Sequence, residues 1–200
     1  MTSLAFHFDP GCPYTWLVSR WLVDAAPRAG IDVTLRPYPL TLINGDNEVP
    51  AEFQPIIEVS YRASRVVQSL NDEGRGDAAH RLYTELGTRR WVGGADHTDA
   101  LVVEAGHAAG VDDVADRMHD ASVDASIRSG FDEVRAIVGP DVGSPVIRLN
   151  GTDQAFFGPI VNPAPRGDDA DRLLTAMLAL LEVPGLFEIK RSRSGDLDFS

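Results

Sequence analysis

The stretch from Leu4 to Trp16, LAFHFDPGCPYTW, constrains the fold more than any other part of the chain, because it joins a strand pattern to a helix pattern through one turn. Leu4 to Phe8 has strand composition, and Asp9-Pro10-Gly11 stops it. Pro13 suits a first helical position, where its missing N–H would have no partner anyway. Trp16, Leu17, Trp21, Leu22 and Ala25 recur at helical spacing and predict a helix from Pro13 to about Ala26. Gly30 breaks the chain, and Ile31 to Leu35 alternates as a second strand. Strand, helix, strand in that order predicts a right-handed βαβ unit with parallel strands.

The rest of the chain changes pattern twice. Tyr38 to Pro50 reads as a loop from its prolines and its Asn-Gly and Asp-Asn pairs. From Ala51 to about Val138 the periodicity is helical. It predicts helices over Glu52–Asn71, Asp77–Leu86, Thr98–Ala108, Val111–His119 and Val123–Val138, separated at Gly74, Gly93-Gly94 and Gly110. At Gly143 strand character resumes, and SPVIRLNG with QAFFGPIV predicts an antiparallel hairpin. Arg166 to Leu181 is an acid-led amphipathic helix, and the polar segment from Phe187 to Ser200 is expected to be a loosely held tail. The order β-α-β, helices, β-β-α predicts an α/β thioredoxin-like fold, residues 1–50 and 139–200, carrying an all-helical insertion over 51–138.

Composition narrows the ligand class. The net charge of -12 opposes broad binding to nucleic-acid phosphates or anionic lipid. The five histidines are scattered, so no metal is expected, and no segment approaches the roughly 18 apolar residues of a membrane span. The N-terminus has neither signal-peptide nor transit character, so a reducing, cytoplasmic setting is expected. Small molecules or a protein partner remain as ligands.

The chain has one cysteine, Cys12, which excludes an internal disulfide. Its predicted place is the N-terminus of the first helix, at the carboxyl end of a parallel strand. Unsatisfied N–H groups and the helix dipole there favour thiolate, and such positions bring a thiol from about 8.5 to roughly 3.5–7.5. Tyr14 and Thr15 supply N–H donors and the Thr15 hydroxyl a third. Cys12 is therefore expected to be a nucleophile at neutral pH. His7 reads as a satisfied structural histidine, and Arg89-Arg90 and Asp168-Asp169 as solvated faces.

FDPGCPYTW, GSPVIRLNG, FFGPIVNPAPRG and LFEIKR together resemble the DsbA-like thioredoxin-fold oxidoreductases with an inserted helical domain. Within them the chain is most similar to the actinobacterial mycothiol-dependent nitroreductase-like group, and more loosely to kappa-class glutathione transferases and 2-hydroxychromene-2-carboxylate isomerases. The resemblance implies a cis-proline at Pro145, with Ser144 offering main-chain groups to an extended thiol ligand. It also implies a homodimer and a loop around Asn44 lying beside the cysteine. Pro13 and Tyr14 belong to the same cofactor-binding surface, and Phe53 is a further candidate to line it.

One departure matters. Where dithiol members carry C-P-x-C, this chain has Thr15, so exchange must run through a mixed disulfide with an outside thiol. Three readings follow. In the first, Cys12 is a monothiol nucleophile working with a low-molecular-weight thiol, mycothiol by resemblance, on disulfides or small electrophilic or nitroaromatic compounds. Alternatively, Thr15 activates a bound thiol for transfer or isomerisation, or the chain is a non-catalytic binding module.

Overall fold

The computed structural model describes residues 2–200. β1 (Ser3–Phe8) lies at the centre of a four-stranded sheet ordered β2-β1-β3-β4. It pairs in parallel with β2 (Asp32–Pro37) and antiparallel with β3 (Val146–Leu149), which pairs antiparallel with β4 (Ala155–Phe157). β4 is shorter than QAFFGPIV suggested. Gly158 at φ 87 turns the chain out of the extended region, and Pro159 has no N–H to continue the ladder.

Between β1 and β2 runs α1 (Pro13–Arg28), which passes through Pro27 instead of ending at Ala26. Proline is tolerated this near the end because the helix closes two residues later. Gly30 at φ 65 caps it, with Gly30 N–H donating to Pro27 C=O at 3.1 Å and Ile31 N–H to Ala26 C=O at 3.0 Å. The expected loop after β2 contains a short helix, α2 (Leu40–Asn44). Its order comes from a distant partner, because Leu40 N–H donates to Asp9 Oδ2 at 2.8 Å.

The helical region holds α3 (Gln54–Asp72), α4 (Gly76–Gly87), α5 (Asp99–Ala108), α6 (Val114–His119) and α7 (Asp124–Val138). α4 runs on into a π-helical turn over Thr88–Val92, and a single 3₁₀ turn, Ala121–Val123, precedes α7. The arginine pair expected on a solvated face sits in that π turn. Arg89 pairs with Glu85, and Arg90 donates to Ala95 C=O at 2.7 Å while lying over Trp91. Asp168 and Asp169, by contrast, stand exposed in the first turn of α8 (Gly167–Leu181).

One buried cluster unites sheet and helices: Leu4, Phe6 and Phe8 of β1 pack with Trp16 and Trp21 of α1, Val66 and Leu70 of α3, and Leu82 and Tyr83 of α4. α8 closes the far side of α1, where Trp21 Nε1 donates to Ala170 C=O at 2.9 Å. The last residues are not the loose tail that polarity suggests. Phe199 stacks on Trp91 with centroids 5.3 Å apart, and the Asn162 side chain bonds Asp196 C=O at 2.9 Å and Asp198 N–H at 2.8 Å. Two aromatic faces and one amide hold a segment whose composition alone would leave it in water.

Candidate active site

Cys12 is the N-cap of α1, with extended φ/ψ of -86 and 120, and Pro13 follows at the first helical position. The turn before it is built by Asp9. Gly11 N–H donates to Asp9 Oδ1 at 2.8 Å, and Cys12 N–H to Asp9 C=O at 3.2 Å. Gly11 is needed for close approach as well as for turning: a Cβ there would fall 2.1 Å from Ser60 Oγ of α3. The insertion thus presses directly on the cysteine loop.

Across from this loop Ser144 precedes Pro145 through a cis peptide. Its hydroxyl accepts from Asp9 N–H at 3.0 Å and lies 3.1 Å from Thr15 Oγ1, while Cys12 Sγ faces its carbonyl oxygen at 3.8 Å. If Ser144 Oγ–H donates to Thr15 Oγ1, the Thr15 proton is left for the Cys12 sulfur, which the Thr15 hydroxyl reaches. The structure therefore brings Cys12, Thr15 and Ser144 into one hydrogen-bonded cluster.

The electrostatics correct the sequence expectation for Cys12. Its side chain is buried, and burial pushes the thiol up from the ordinary range. Hydrogen bonds from the Thr15 hydroxyl, Thr15 N–H and Tyr14 N–H oppose that rise, and the Asp9 carboxyl adds to it. The donors expected from the helix start are present, but desolvation outweighs them. Cys12 rests as a protected thiol.

Other sequence candidates are placed less centrally. Tyr14 is half-buried beside the cysteine, with the Arg193 guanidinium 4.5 Å from its ring centroid, so the C-terminal segment returns to the site. Asn44 ends α2, and its side chain contributes no hydrogen bond to the cysteine cluster. Phe53, at 51% exposure, caps the start of α3 in solvent. His7 is buried as expected but not satisfied: neither ring nitrogen has a partner, and burial with nearby Arg148 pushes it down to about 3.

Asp9, Ser60 and His97 are the residues that sequence reasoning missed. Asp9 is fully buried and its carboxyl is raised to about 6 by that burial, against hydrogen bonds from Leu40 N–H, Gly11 N–H and Ser60. Ser60 Oγ in turn lies 3.0 Å from His97 Nε2. In the sequence Asp9 reads as an ordinary Asp-Pro-Gly turn residue. Only its place one turn before the cysteine hinted at more.

The chain is similar to known proteins in sequence and in fold. The curated protein Rv2286c of Mycobacterium tuberculosis (strain ATCC 25618 / H37Rv), itself uncharacterized, is 27% identical over 205 residues, covering 97% of this chain and 84% of its own length. Similar folds are found in a putative protein disulfide isomerase from Nitrosomonas europaea (TM-score 0.59, 13% identity, 91% of this chain and 99% of that one). They are also found in the probable DsbA oxidoreductase SCO1869 from Streptomyces coelicolor (TM-score 0.58, 16% identity, 98% and 97%). The cytosolic disulfide reductase DsbM from Pseudomonas aeruginosa gives a TM-score of 0.55 at 17% identity, over 89% of this chain and 99% of that one. These likenesses establish the DsbA-like thioredoxin fold. The family described as Rv2466c-like, mycothiol-dependent nitroreductase Rv2466c, matches residues 11–191, from the cysteine loop to the C-terminal segment, and the chain belongs to that family.

Proposed function

We propose that the protein is a monothiol oxidoreductase in which Cys12 exchanges with a low-molecular-weight thiol, mycothiol by family, to reduce disulfides or small electrophilic compounds, nitroaromatics among them. The observation that carries this reading is the position of Cys12 Sγ, 3.8 Å from the Ser144 carbonyl, at the N-cap of α1 in a chain whose other motif position is Thr15. Family membership supplies the oxidoreductase class.

The residues divide the work by geometry. The Ser144 main-chain N–H takes no part in the network around the cysteine and is available to an extended ligand beside the sulfur, in the manner of an added strand. The family resemblance assigns Tyr14 and Asn44 to the border of that approach. Thr15 is fully buried and bonded to Ser144, so its hydroxyl serves the Cys12 sulfur and is turned away from an outside thiol; this weighs against the transferase reading. A small thiol supplies the second sulfur that the chain lacks.

In disulfide exchange the Cys12 thiolate attacks one sulfur of a substrate disulfide, forms a mixed disulfide and expels the other sulfur as thiolate. Attack by the small thiol on the substrate sulfur of that mixed disulfide expels the Cys12 thiolate and leaves the substrate sulfur bonded to the small thiol; a second small thiol then releases the substrate thiol and forms the small thiol's own disulfide. Because Cys12 rests as a protected thiol, its proton must leave before attack, and the Thr15 and Tyr14 donors then hold the charge. Homodimerisation and a cytoplasmic setting complete the reading.

Intact-mass spectrometry after incubation with oxidised mycothiol, glutathione and coenzyme A tests it. A single mycothiol adduct lost in Cys12→Ser is the expected result. Absence of any adduct, or thiol-dependent turnover unchanged in Cys12→Ser, would overturn it.

A further inference from the structure

A cavity of about 310 Å³ lies between α1, β2 and α4. Its walls are mainly apolar, with Phe6, Leu22, Val23 and Leu35 among them, and it includes none of Cys12, Thr15 and Ser144. Its volume falls at the lower end of the range for small-molecule sites.

Two polar groups in the lining lack what burial requires. Arg20 is half-buried and pairs with no Asp or Glu among the described residues. Its guanidinium makes two bonds to neutral hydroxyls, 3.2 Å to Ser19 Oγ and 3.3 Å to Thr84 Oγ1, and lies 4.0 Å from the Trp16 ring centroid. A second cation is close by, since Arg166 Nη1 donates to Arg20 C=O at 3.1 Å. Burial and Arg166 lower Arg20 to about 10, which leaves it cationic at neutral pH. Tyr83, 2% exposed, is within electrostatic reach of Arg20, and its hydroxyl makes no hydrogen bond of good geometry, the Ser19 hydroxyl being the nearest group.

The remaining polar lining does not neutralise this charge. His80 Nε2 is committed to Val33 C=O at 2.7 Å, and burial keeps the ring neutral. Asp32, the carboxylate in the lining, stands on the exposed rim and forms no ion pair among the described residues. An uncompensated cation and an unpartnered hydroxyl beside apolar walls call for an anion with an apolar body.

We propose that this cavity binds a small amphipathic monocarboxylate, its carboxylate held by Arg20 and Tyr83 and its hydrocarbon part packed against Leu22, Val23 and Leu35. The proposal does not rest on the cysteine chemistry, although Tyr83 lies within electrostatic reach of Cys12 and Asp9.

The test uses 1-naphthoate as probe and its neutral amide as control, with binding followed by calorimetry on the full chain. One saturable naphthoate site is expected, with the amide at least tenfold weaker. Arg20→Met is expected to weaken naphthoate at least tenfold, and Tyr83→Phe several-fold. Val23→Trp, at a half-exposed position on the wall, should close the cavity without touching the core and abolish binding; it decides the matter if Arg20→Met does not fold. Cys12→Ser should leave the affinity unchanged. Equal binding of acid and amide, naphthoate affinity unaffected by Val23→Trp, loss of binding in Cys12→Ser, or no saturable site would each overturn the proposal.

Discussion

Asp9 and His7 stand two residues apart at one end of β1, both buried, and the molecule treats them in opposite ways. Asp9 is surrounded by donors: Gly11 N–H, Leu40 N–H and the Ser60 hydroxyl converge on its carboxyl. His7 faces Tyr38 edge-on at 6.3 Å and has no hydrogen bond at either nitrogen. Alternation along a strand explains why they differ in surroundings from the residues between them, but not why one is networked. The difference is that Asp9 sits where three segments meet, the cysteine loop, α2 and α3, each bringing a polar group that needs an acceptor. A buried ionisable group organises a site when other elements depend on it, and is only tolerated when they do not.

The largest expected effect is therefore Asp9→Ala. It leaves two main-chain N–H groups and a serine without an acceptor, and should cost about 4 kcal/mol by urea denaturation, given about 1–3 kcal/mol per buried unsatisfied group. If it costs no more than an ordinary surface substitution, Asp9 is not the hub described here.

Next comes pH dependence, where the two residues have opposite sign. Asp9 is raised from 3.8 to about 6 in the fold, so its contribution is fully present below pH 4 and lost as pH rises through about 6; the gap corresponds to about 3 kcal/mol. His7 is depressed to about 3, so its contribution is present above pH 6.5 and lost as pH falls toward 3. His97, lowered to about 4, acts in the same direction as His7. Between pH 4 and 6 these slopes oppose each other. With both histidines present the net slope is a rise with pH, so His7→Leu, which leaves Asp9 opposed by His97 alone, should flatten the profile across that window, and Asp9→Asn should steepen the fall on the acid side; unchanged slopes in both variants would remove the contrast.

A smaller effect is expected at the sulfur. Alkylation of Cys12 by iodoacetamide should keep accelerating above the pH where an ordinary thiol levels off, because burial raises it. Thr15→Val removes the leading opposing donor and should slow alkylation at pH 8 by about tenfold, the equivalent of about 1.4 kcal/mol, a typical worth for a hydrogen bond to a charged group. A faster rate in Thr15→Val would show that the hydroxyl shields the sulfur instead of stabilising its charge.

The smallest effect is His7→Leu at neutral pH. Removing two unpartnered buried nitrogens should change stability by less than about 1 kcal/mol, or raise it slightly. A large loss there would mean that His7 is networked after all.

Much of the frame was legible because its signals are local. The turn at Asp9-Pro10-Gly11, Pro13 at the start of α1, the alternation of Ile31 to Leu35 and the Gly30 cap each depend on a few neighbouring residues, and their elements appear within two residues of their expected ends. The departures at α2 and at the C-terminal segment involve partners far along the chain. α2 is held by Asp9 Oδ2, and the C-terminal segment by Trp91 and Asn162. Arg90 turns inward to Ala95 instead of facing water.

The site divides along the same line. That Cys12 begins a helix, follows a strand and lacks a second cysteine was determined by the sequence alone, since each is a matter of order and near-neighbour conformation. That its sulfur is buried as a thiol, faces Ser144 from 132 positions away and shares its loop with a fully buried Asp9 was decided only by the tertiary structure. Desolvation depends on everything packed around a group, and here it outweighs the local donors that the sequence displays.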